Sequence, residues 1–284
     1  MIQKAYFSLP IKNIIATFKA PLLLGILATL TAMVPMAQAA YTPPEGDAPS
    51  GSTVAGGSRP PGCDADRSLP FTLLAPLAHP GYSTTTTPTL AWFVTATEPY
   101  IVQVSVYHTD SDQGIKQVYR DIRIEEEGGV GSLTLPEDIP LMDGEQYDWE
   151  VAIACDIDAI RFQGTVSAKL QVATPTEPMV TDLTTALTVA ASSVERAEAY
   201  ASRGYWFDAL SELILDAQAN TPSSNGVADL LRELGTLELA NPDVATRGED
   251  LLAISDALVG GSGTTDDQPD RLNSSIQPSV EPLP

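Results

Sequence analysis

The sequence predicts an α+β chain with two folded parts, an antiparallel β-sandwich followed by a small α-helical subdomain. Short runs of β-branched and aromatic residues, separated by Pro, Gly and Asp clusters, extend from Leu69 to Val172. No helical pattern intervenes between these runs, which favours antiparallel pairing. After the segment Thr174–Pro178 the apolar spacing changes to three and four residues, the period of an amphipathic helix.

Seven strands are predicted from the β-rich runs, each bounded by turn-forming residues. Alternation is clearest in the sixth, where every second residue from Tyr147 to Cys155 is apolar or aromatic. In chain order the predicted strands are Phe71–Leu74, Thr89–Val94, Ile101–Tyr107, Gln117–Ile124, Ser132–Leu135, Tyr147–Cys155 and Phe162–Val172.

A local signature indicates which kind of sandwich this is. Leu141, Gly144, Tyr147 and Trp149 are spaced as in the tyrosine corner of immunoglobulin-like and fibronectin type III domains. In those domains the tyrosine hydroxyl bonds to the backbone a few residues upstream. The predicted fold class is therefore an immunoglobulin/fibronectin III-like β-sandwich, and the alternative is an amphipathic strand in another antiparallel fold.

Four helices are predicted after the linker. We expect Thr181 or Asp182 to cap the first, Gly204 to end it and Pro222 to follow the second. The apolar positions are Leu183, Ala186, Leu187, Ala190, Val194 and Ala197; then Phe207, Leu210, Leu213, Ile214 and Ala217; then Val227, Leu230, Leu231 and Leu234; then Leu251, Leu252, Ile254 and Leu258.

The first two helices resemble one degenerate tetratricopeptide (TPR-like) unit. Ala197 and Ala209 are small, as required where paired helices approach closely, and Gly204 lies between them. One unit is weak support for an array, because stacking needs about three repeats.

The N-terminal region predicts export. Three lysines precede an apolar run, Leu22–Met36, which leads into the Ala-Gln-Ala sequence at 37–39, a small-residue cleavage site. A membrane anchor would need about twenty apolar residues, and this run is shorter. We therefore expect a signal peptide at 1–39, a periplasmic or extracellular mature chain, and no stable membrane insertion after cleavage.

The remaining boundaries follow from composition. Segments rich in Pro, Gly, Ser and Thr flank the patterned region, and such composition does not support a packed core. We predict a flexible leader at 40–62, the sandwich at 63–174, the helical subdomain at 181–259 and a disordered tail at 260–284.

The charge excludes some classes of partner. The chain has 15 basic and 37 acidic residues, and loss of the three leader lysines takes the net charge from −22 to −25. A surface with this much negative charge repels phosphate backbones and anionic membranes. We therefore expect no nucleic-acid partner. With two histidines and no H-E-x-x-H, G-x-S-x-G or P-loop motif, the sequence indicates no catalytic residues.

The two cysteines, Cys63 and Cys155, predict a disulfide, because an isolated pair in an exported chain usually forms one; two free buried thiols are the alternative. Each cysteine opens the motif Cys-Asp-x-Asp, so pairing would gather four carboxylates, which suits a weak Ca²⁺ site. Arg67 and Arg161 are competing neutralisers, and solvated strand-end aspartates are the alternative. The candidate ligands are Asp64, Asp66, Asp156 and Asp158. No other cofactor is expected.

An aromatic cluster is the second candidate site. Tyr200, Tyr205, Trp206 and Phe207 would form a sugar- or protein-binding surface if exposed, and core if buried.

The order and spacing of several landmarks resemble the exported, mainly cyanobacterial domain-of-unknown-function family 928 (DUF928). The resemblance covers roughly residues 56 to 240, and it departs from the family at Ser58 and in the order Trp92-Phe93. It implies export and the extent of the folded chain, and no catalytic residue or ligand. The landmarks are Gly56-Gly57-Ser58-Arg59, Cys63, Leu73–Pro76, Thr87–Val94, Tyr147-Asp148-Trp149, Cys155-Asp156, Tyr200-Ala201 and Gly204–Leu210.

These observations favour a non-enzymatic, exported interaction module of the cell envelope whose partner is an envelope protein or a glycan. The first alternative is a periplasmic glycan or small-ligand binder that uses the junction between the two folded parts. The second is a carboxylate-based hydrolase, which would need two carboxyl groups converging in a cleft.

Overall fold

The structure of the protein, a computed structural model, describes residues 41–44, 62–63, 69–110, 114–158, 160–219 and 225–261. These residues all belong to one compact unit, Gln38–Pro284. The strands are β1 (Thr72–Leu73), β2 (Gly81–Ser83), β3 (Thr89–Val94), β4 (Tyr100–Asp110), β5 (Gly114–Glu125), β6 (Gly129–Thr134), β7 (Gln146–Ala154) and β8 (Gly164–Val172). The helices are α1 (Met179–Val189), α2 (Ser193–Ala201), α3 (Trp206–Ala219), α4 (Asn225–Leu239) and α5 (Ala245–Gly261).

The strands form two sheets, as the prediction of an α+β chain with a sandwich-like β-part requires. One sheet has the order β1-β3-β6 and the other the order β2-β8-β7-β4-β5. All seven predicted strands are present, but β2 was not predicted and pairs in parallel with β8. The expectation of purely antiparallel pairing is therefore wrong at this edge. The sequence did not predict β2 because a strand of three residues is too short to show a periodic pattern.

The core lies between the inner faces of the two sheets. On β7, Trp149 and Val151 are opposite Val106 and Val104 of β4, and all four are buried. Trp92 of β3 contributes from the smaller sheet and is fully buried. The period-2 pattern of β7 therefore identified the inner face correctly.

A hydrogen bond joins the Tyr147 side chain to the backbone that precedes β7. The backbone N–H of Met142 donates to the Tyr147 hydroxyl over 2.9 Å, five residues upstream of the tyrosine. Gly144, in the turn between them, has φ +80°, a conformation that glycine adopts without steric cost. This bond fixes the entry of the chain into β7.

The first predicted helix is wrong in two respects. It begins at Met179, after Pro178, and not at a cap formed by Thr181 or Asp182. It is also interrupted, because α2 starts afresh where the Ser192 hydroxyl accepts the N–H of Glu195. A serine side chain competes with the helical backbone for hydrogen bonds and favours an N-cap position. The other three predicted helices are present as α3, α4 and α5.

The apolar core continues from the sheets into the helices, so the linker does not separate two cores. Phe207 of α3 meets Trp149 of β7 edge to face, with ring centroids 6.2 Å apart. The boundaries given for a separate helical subdomain stay a prediction. Across the ranges that the structure describes, none of the helices has the length and apolarity needed to cross a membrane.

Candidate functional site

The predicted disulfide is confirmed. Cys63 and Cys155 are bonded with a Cα–Cα distance of 5.2 Å, and the bridge joins residues 92 positions apart. It ties the chain preceding β1 to the end of β7, so it constrains the unfolded chain over most of the β-part.

The predicted aspartate cluster is only half described. Asp64 and Asp66 lie outside the described residues, as does the predicted signal peptide. Asp156 and Asp158 are exposed, and the Asp156 carboxylate accepts the backbone N–H of Asp158 over 2.9 Å. That bond is typical of a turn. The Ca²⁺ site stays a prediction.

The aromatic cluster belongs to the core. Tyr205, Trp206 and Phe207 are buried and Tyr200 is half-buried, so of the two alternatives left by the sequence the triplet is core and not an exposed binding surface. The Trp206 indole N–H donates to the carbonyl oxygen of Leu74 over 2.8 Å. These residues attach α3 to the sheets, because an aromatic triplet at a helix start buries most area when it faces the neighbouring layer.

A buried carboxylate joins the helices to the β-part beside this cluster. Asp208 accepts two hydrogen bonds from Thr84, from the backbone N–H over 2.8 Å and from the hydroxyl over 2.6 Å. Burial raises the pKa of Asp208 to about 6, and the bonds from Thr84 oppose part of that rise. Because both donors belong to Thr84, the Asp208 carboxylate attaches α3 to the segment that follows β2.

A buried ion pair joins α4 and α5 to the segment after β1. The Arg247 guanidinium donates to the carbonyl oxygens of Leu73 and Ala75, the latter over 3.0 Å. Its other nitrogen lies 3.9 Å from the Glu238 carboxylate, which accepts the N–H of Leu77 over 2.6 Å. Burial raises the pKa of Glu238 and lowers that of Arg247, and their mutual attraction opposes both shifts.

In contrast to these buried charged groups, β5 is an edge strand with exposed apolar side chains. It lies at the end of the larger sheet, and within the described residues no strand pairs with its outer side. A free edge exposes backbone N–H and C=O groups that can pair with an added strand. A register shift interrupts the β4–β5 ladder between Val106 and Tyr107, which leaves 119–125 as the longest regular run of the edge.

Exposed isoleucines lie on the outer face of this regular run. Ile124 is opposite Ile101, which is opposite Ala154, so one row crosses three strands. In the next row Ile122 is opposite Gln103, which is opposite Ala152. Ile122 is 49% exposed and Ile124 54%. Ile101, Ala152 and Ala154 in these rows are buried, so the exposed members are the two isoleucines of β5. We call Ile122 and Ile124 the edge patch.

The side chains of β5 that face the smaller sheet are charged, and they cover the space between the two sheets at this edge. Arg123 stacks over the Trp92 ring, with its guanidinium carbon 5.3 Å from the ring centroid, and pairs with Glu125 at 2.6 Å. Its guanidinium also donates to the carbonyl oxygen of Ser132 on β6. Inward-pointing charges of this kind limit indiscriminate pairing at sheet edges. β5 therefore combines an open edge with charged side chains on its inner face.

Sequence reasoning did not identify the edge patch. The strand Gln117–Ile124 was correctly predicted, but a strand pattern does not state whether the strand is central or at an edge. The three basic residues of β5, Lys116, Arg120 and Arg123, were the available signal, since charged side chains are typical of edge strands.

Two sheets with a shared core, closed by a disulfide and continued by five helices in the described residues, define an α+β protein with a sandwich-like β-part. Residues 54–244, more than half of the chain, match the model of the Domain of Unknown Function DUF928, and the chain belongs to this family. No curated protein matches the chain.

Three solved structures show distant likeness. One is the CsuC–CsuE chaperone–tip adhesion subunit complex of Acinetobacter baumannii Csu pili, 15% identical, covering 38% of this chain and 52% of that chain, with a TM-score of 0.27. Another is a Paenibacillus sp. cycloisomaltooligosaccharide glucanotransferase, 13% identical, covering 37% and 14%, with a TM-score of 0.25. A third is the vertebrate-specific, perforin-like membrane protein Astrotactin-2, 13% identical, covering 70% and 37%, with a TM-score of 0.25. The chain spans about half the length of the first and less of the others, and TM-scores this low do not establish a shared fold.

Proposed function

We propose that this protein is an exported, non-enzymatic interaction module of the cell envelope that binds another envelope protein along β5. The observation that carries the proposal is the combination, on one strand, of a free backbone edge and two half-exposed isoleucines. Both would be covered if a partner strand were added to the sheet.

The chemistry of the edge describes the partner segment. Backbone groups of β5 would pair with an extended segment of the partner, and alternate side chains of that segment would extend the edge patch. Residues facing the inner side would meet Asp121, Arg123 and Glu125, so the segment is expected to alternate apolar and charged residues. Exposed apolar surface rimmed by charges is typical of protein-binding sites.

The finer features of the fold are part of the same proposal. The bond between Tyr147 and Met142 supports an immunoglobulin/fibronectin III-like sandwich, although the parallel pair β2–β8 departs from a purely antiparallel arrangement. Burial of Ala197 and Ala209 supports close TPR-like packing of α2 on α3. The export signal and the disulfide support a periplasmic or extracellular location, and family membership supports a cyanobacterial source.

The other functions have less support. The glycan- or small-ligand-binding alternative would use the junction between the two folded parts, and the aromatic side chains of Tyr205, Trp206 and Phe207 at that junction are buried. The hydrolase alternative needs two carboxyl groups facing one cleft, and the buried Asp208 is instead occupied by Thr84.

The test is capture of a partner from the envelope fraction with matched variants. We expect the mature protein to retain a discrete partner, and the double substitution Ile122→Lys/Ile124→Lys to abolish capture by placing charges on the edge patch. Val189 on α1 is 76% exposed, so Val189→Lys makes the same chemical change away from β5 and is expected to leave capture intact. Equal capture by both variants would overturn the proposal.

A further inference from the structure

The strand β5 itself has the composition that its edge requires of a binding segment. Ile122 and Ile124 are half-exposed on the outer face, and charged residues alternate with them along the strand. Asp121 and Arg123 are opposite two buried valines of β4, so these two charged residues share the inner face. A segment that alternates apolar and charged residues is therefore present on every copy of the chain.

The charges of β5 decide how two copies of the strand can pair. Two identical strands pair antiparallel about a two-fold axis, and paired residues face the same side of the sheet. An axis at Asp121 or at Arg123 places that residue opposite its own copy, which brings like charges together. An axis at Ile122 instead places Asp121 of each copy opposite Arg123 of the other, and Ile122 opposite Ile122. Only opposite charges meet at these two positions in that register.

The same axis uses the whole regular run of the edge. That run is 119–125, and Ile122 is its middle residue, so every residue of the run is opposite a residue of the other copy. An axis at Ile124 would also bring opposite charges together, but β5 ends at Glu125, so only 123–125 would pair. Charge and length therefore select the same register.

We propose that a second copy of this chain binds the β5 edge, with the two strands antiparallel about a two-fold axis at Ile122. The proposal rests on the proposed function in one respect, that β5 is a binding edge, and it names an occupant of that edge. The two larger sheets then form one continuous sheet, and the edge patches of the two copies lie side by side. Another envelope protein could bind β5 only by displacing the second copy, because both use the same backbone groups.

The acidic surface of the chain is compatible with this pairing at physiological salt. The chain has a net charge of −22, so two copies repel each other at long range. At about 0.15 M ionic strength, exposed charges are screened beyond about 8 Å. The pairs of Asp121 with Arg123 are closer than that, because Cβ atoms directly across two strands are about 4.5–5.5 Å apart. Salt therefore weakens the repulsion more than the attraction at the edge.

Single cysteines measure the register. The two cysteines of the chain are bonded to each other, so an introduced cysteine supplies a free thiol. In the proposed register the two copies of Ile122 have Cα atoms about 4.5–5.5 Å apart, within the range of a disulfide. The two copies of Ile124 are about 13 Å apart along the strands. Under mild oxidation we expect the mature protein with Ile122→Cys to become a covalent dimer. Ile124→Cys, the matched control on the same face, should remain a single chain on a non-reducing gel.

Charge reversal tests the pairing without a covalent bond. Sedimentation equilibrium over a series of concentrations is expected to show the wild-type mature protein as a reversible dimer. Asp121→Arg puts a like charge opposite Arg123 in both pairs and should give a monomer. The Asp256 side chain on α5 is 79% exposed, so Asp256→Arg makes the same change of charge away from β5 and should preserve the dimer. Thermal unfolding checks that both variants fold, and the cysteine experiment decides the matter if Asp121→Arg does not.

The outcomes separate this proposal from the proposed function. Equal cross-linking at positions 122 and 124, no cross-linking at 122, or a monomeric wild type throughout the series would overturn the second copy as occupant. The proposed function would survive each of these results if the wild type captured an envelope protein that Ile122→Lys/Ile124→Lys did not. A dimer joined at position 122, with no envelope protein captured by the wild type, would support the second copy and overturn the proposed function.

Discussion

The junction between sheets and helices and the free edge of β5 distribute charged and apolar side chains in opposite ways. At the junction Glu238 and Asp208 are buried, the Arg247 side chain is 10% exposed, and all three are bonded to backbone groups of the β-part. Along β5, Ile122 and Ile124 are half-exposed. A buried charged side chain is stable only when nearby groups bond to it. An exposed apolar patch is typical of a surface that binds another molecule. The contrast separates the region that stabilises the fold from the region proposed to bind.

The largest effect should come from breaking the buried ion pair. Arg247→Met leaves the carbonyl oxygens of Leu73 and Ala75 and the Glu238 carboxylate without their cation, which should cost about 3–5 kcal/mol of unfolding free energy. Arg232→Met is the control, since Arg232 forms exposed pairs with Asp229 of α4 and Asp256 of α5 and its loss should cost at most about 1 kcal/mol. Urea unfolding measures both, and equal losses would show that the junction is no more sensitive than the surface.

A pH-dependent effect should follow at Asp208. The folded pKa of about 6 exceeds the ordinary value of 3.8, so between about pH 4 and 6 the folded chain holds a proton that the unfolded chain has released. The unfolding free energy supplied by Asp208 therefore falls as pH rises through that window, by about 2–3 kcal/mol. Asp208→Asn lacks this slope. The stability difference between the wild type and this variant, measured in urea at pH 4 and pH 7, should shift by that amount; a constant difference would refute the assignment.

The smallest stability effect is expected at the edge. Ile122→Lys/Ile124→Lys should change the unfolding free energy by at most about 0.5 kcal/mol at each position, because both side chains are already half in water. Thermal unfolding checks this. A loss comparable to that of Arg247→Met would mean that the edge patch is structural, and the contrast between the two regions would fail.

The elements that the sequence predicted are those whose signal is local. The alternation of β7, the helical periods and the turn at Gly144 before Tyr147 each depend on residues within a few positions of one another. Asp208 and Thr84 are 124 positions apart, and Arg247 and Ala75 are 172 apart. The burial of those charged side chains depends on hydrogen-bond partners far away in the sequence, which a local pattern cannot predict. The same reason explains why the aromatic triplet left open whether it was core or surface, and why Tyr41, whose ring is buried edge-on to Trp206, was assigned to a flexible leader.

The most direct test of the central claim is site-specific photocrosslinking in the native cell, with a benzophenone amino acid placed at Ile122 or, as the control, at Val189. Both positions are exposed, so both probes should be tolerated. If β5 is the binding edge, position 122 gives a discrete adduct with an envelope protein and position 189 gives none. Adducts of equal yield at the two positions, or none at position 122, would contradict the proposal that the protein binds its partner through β5.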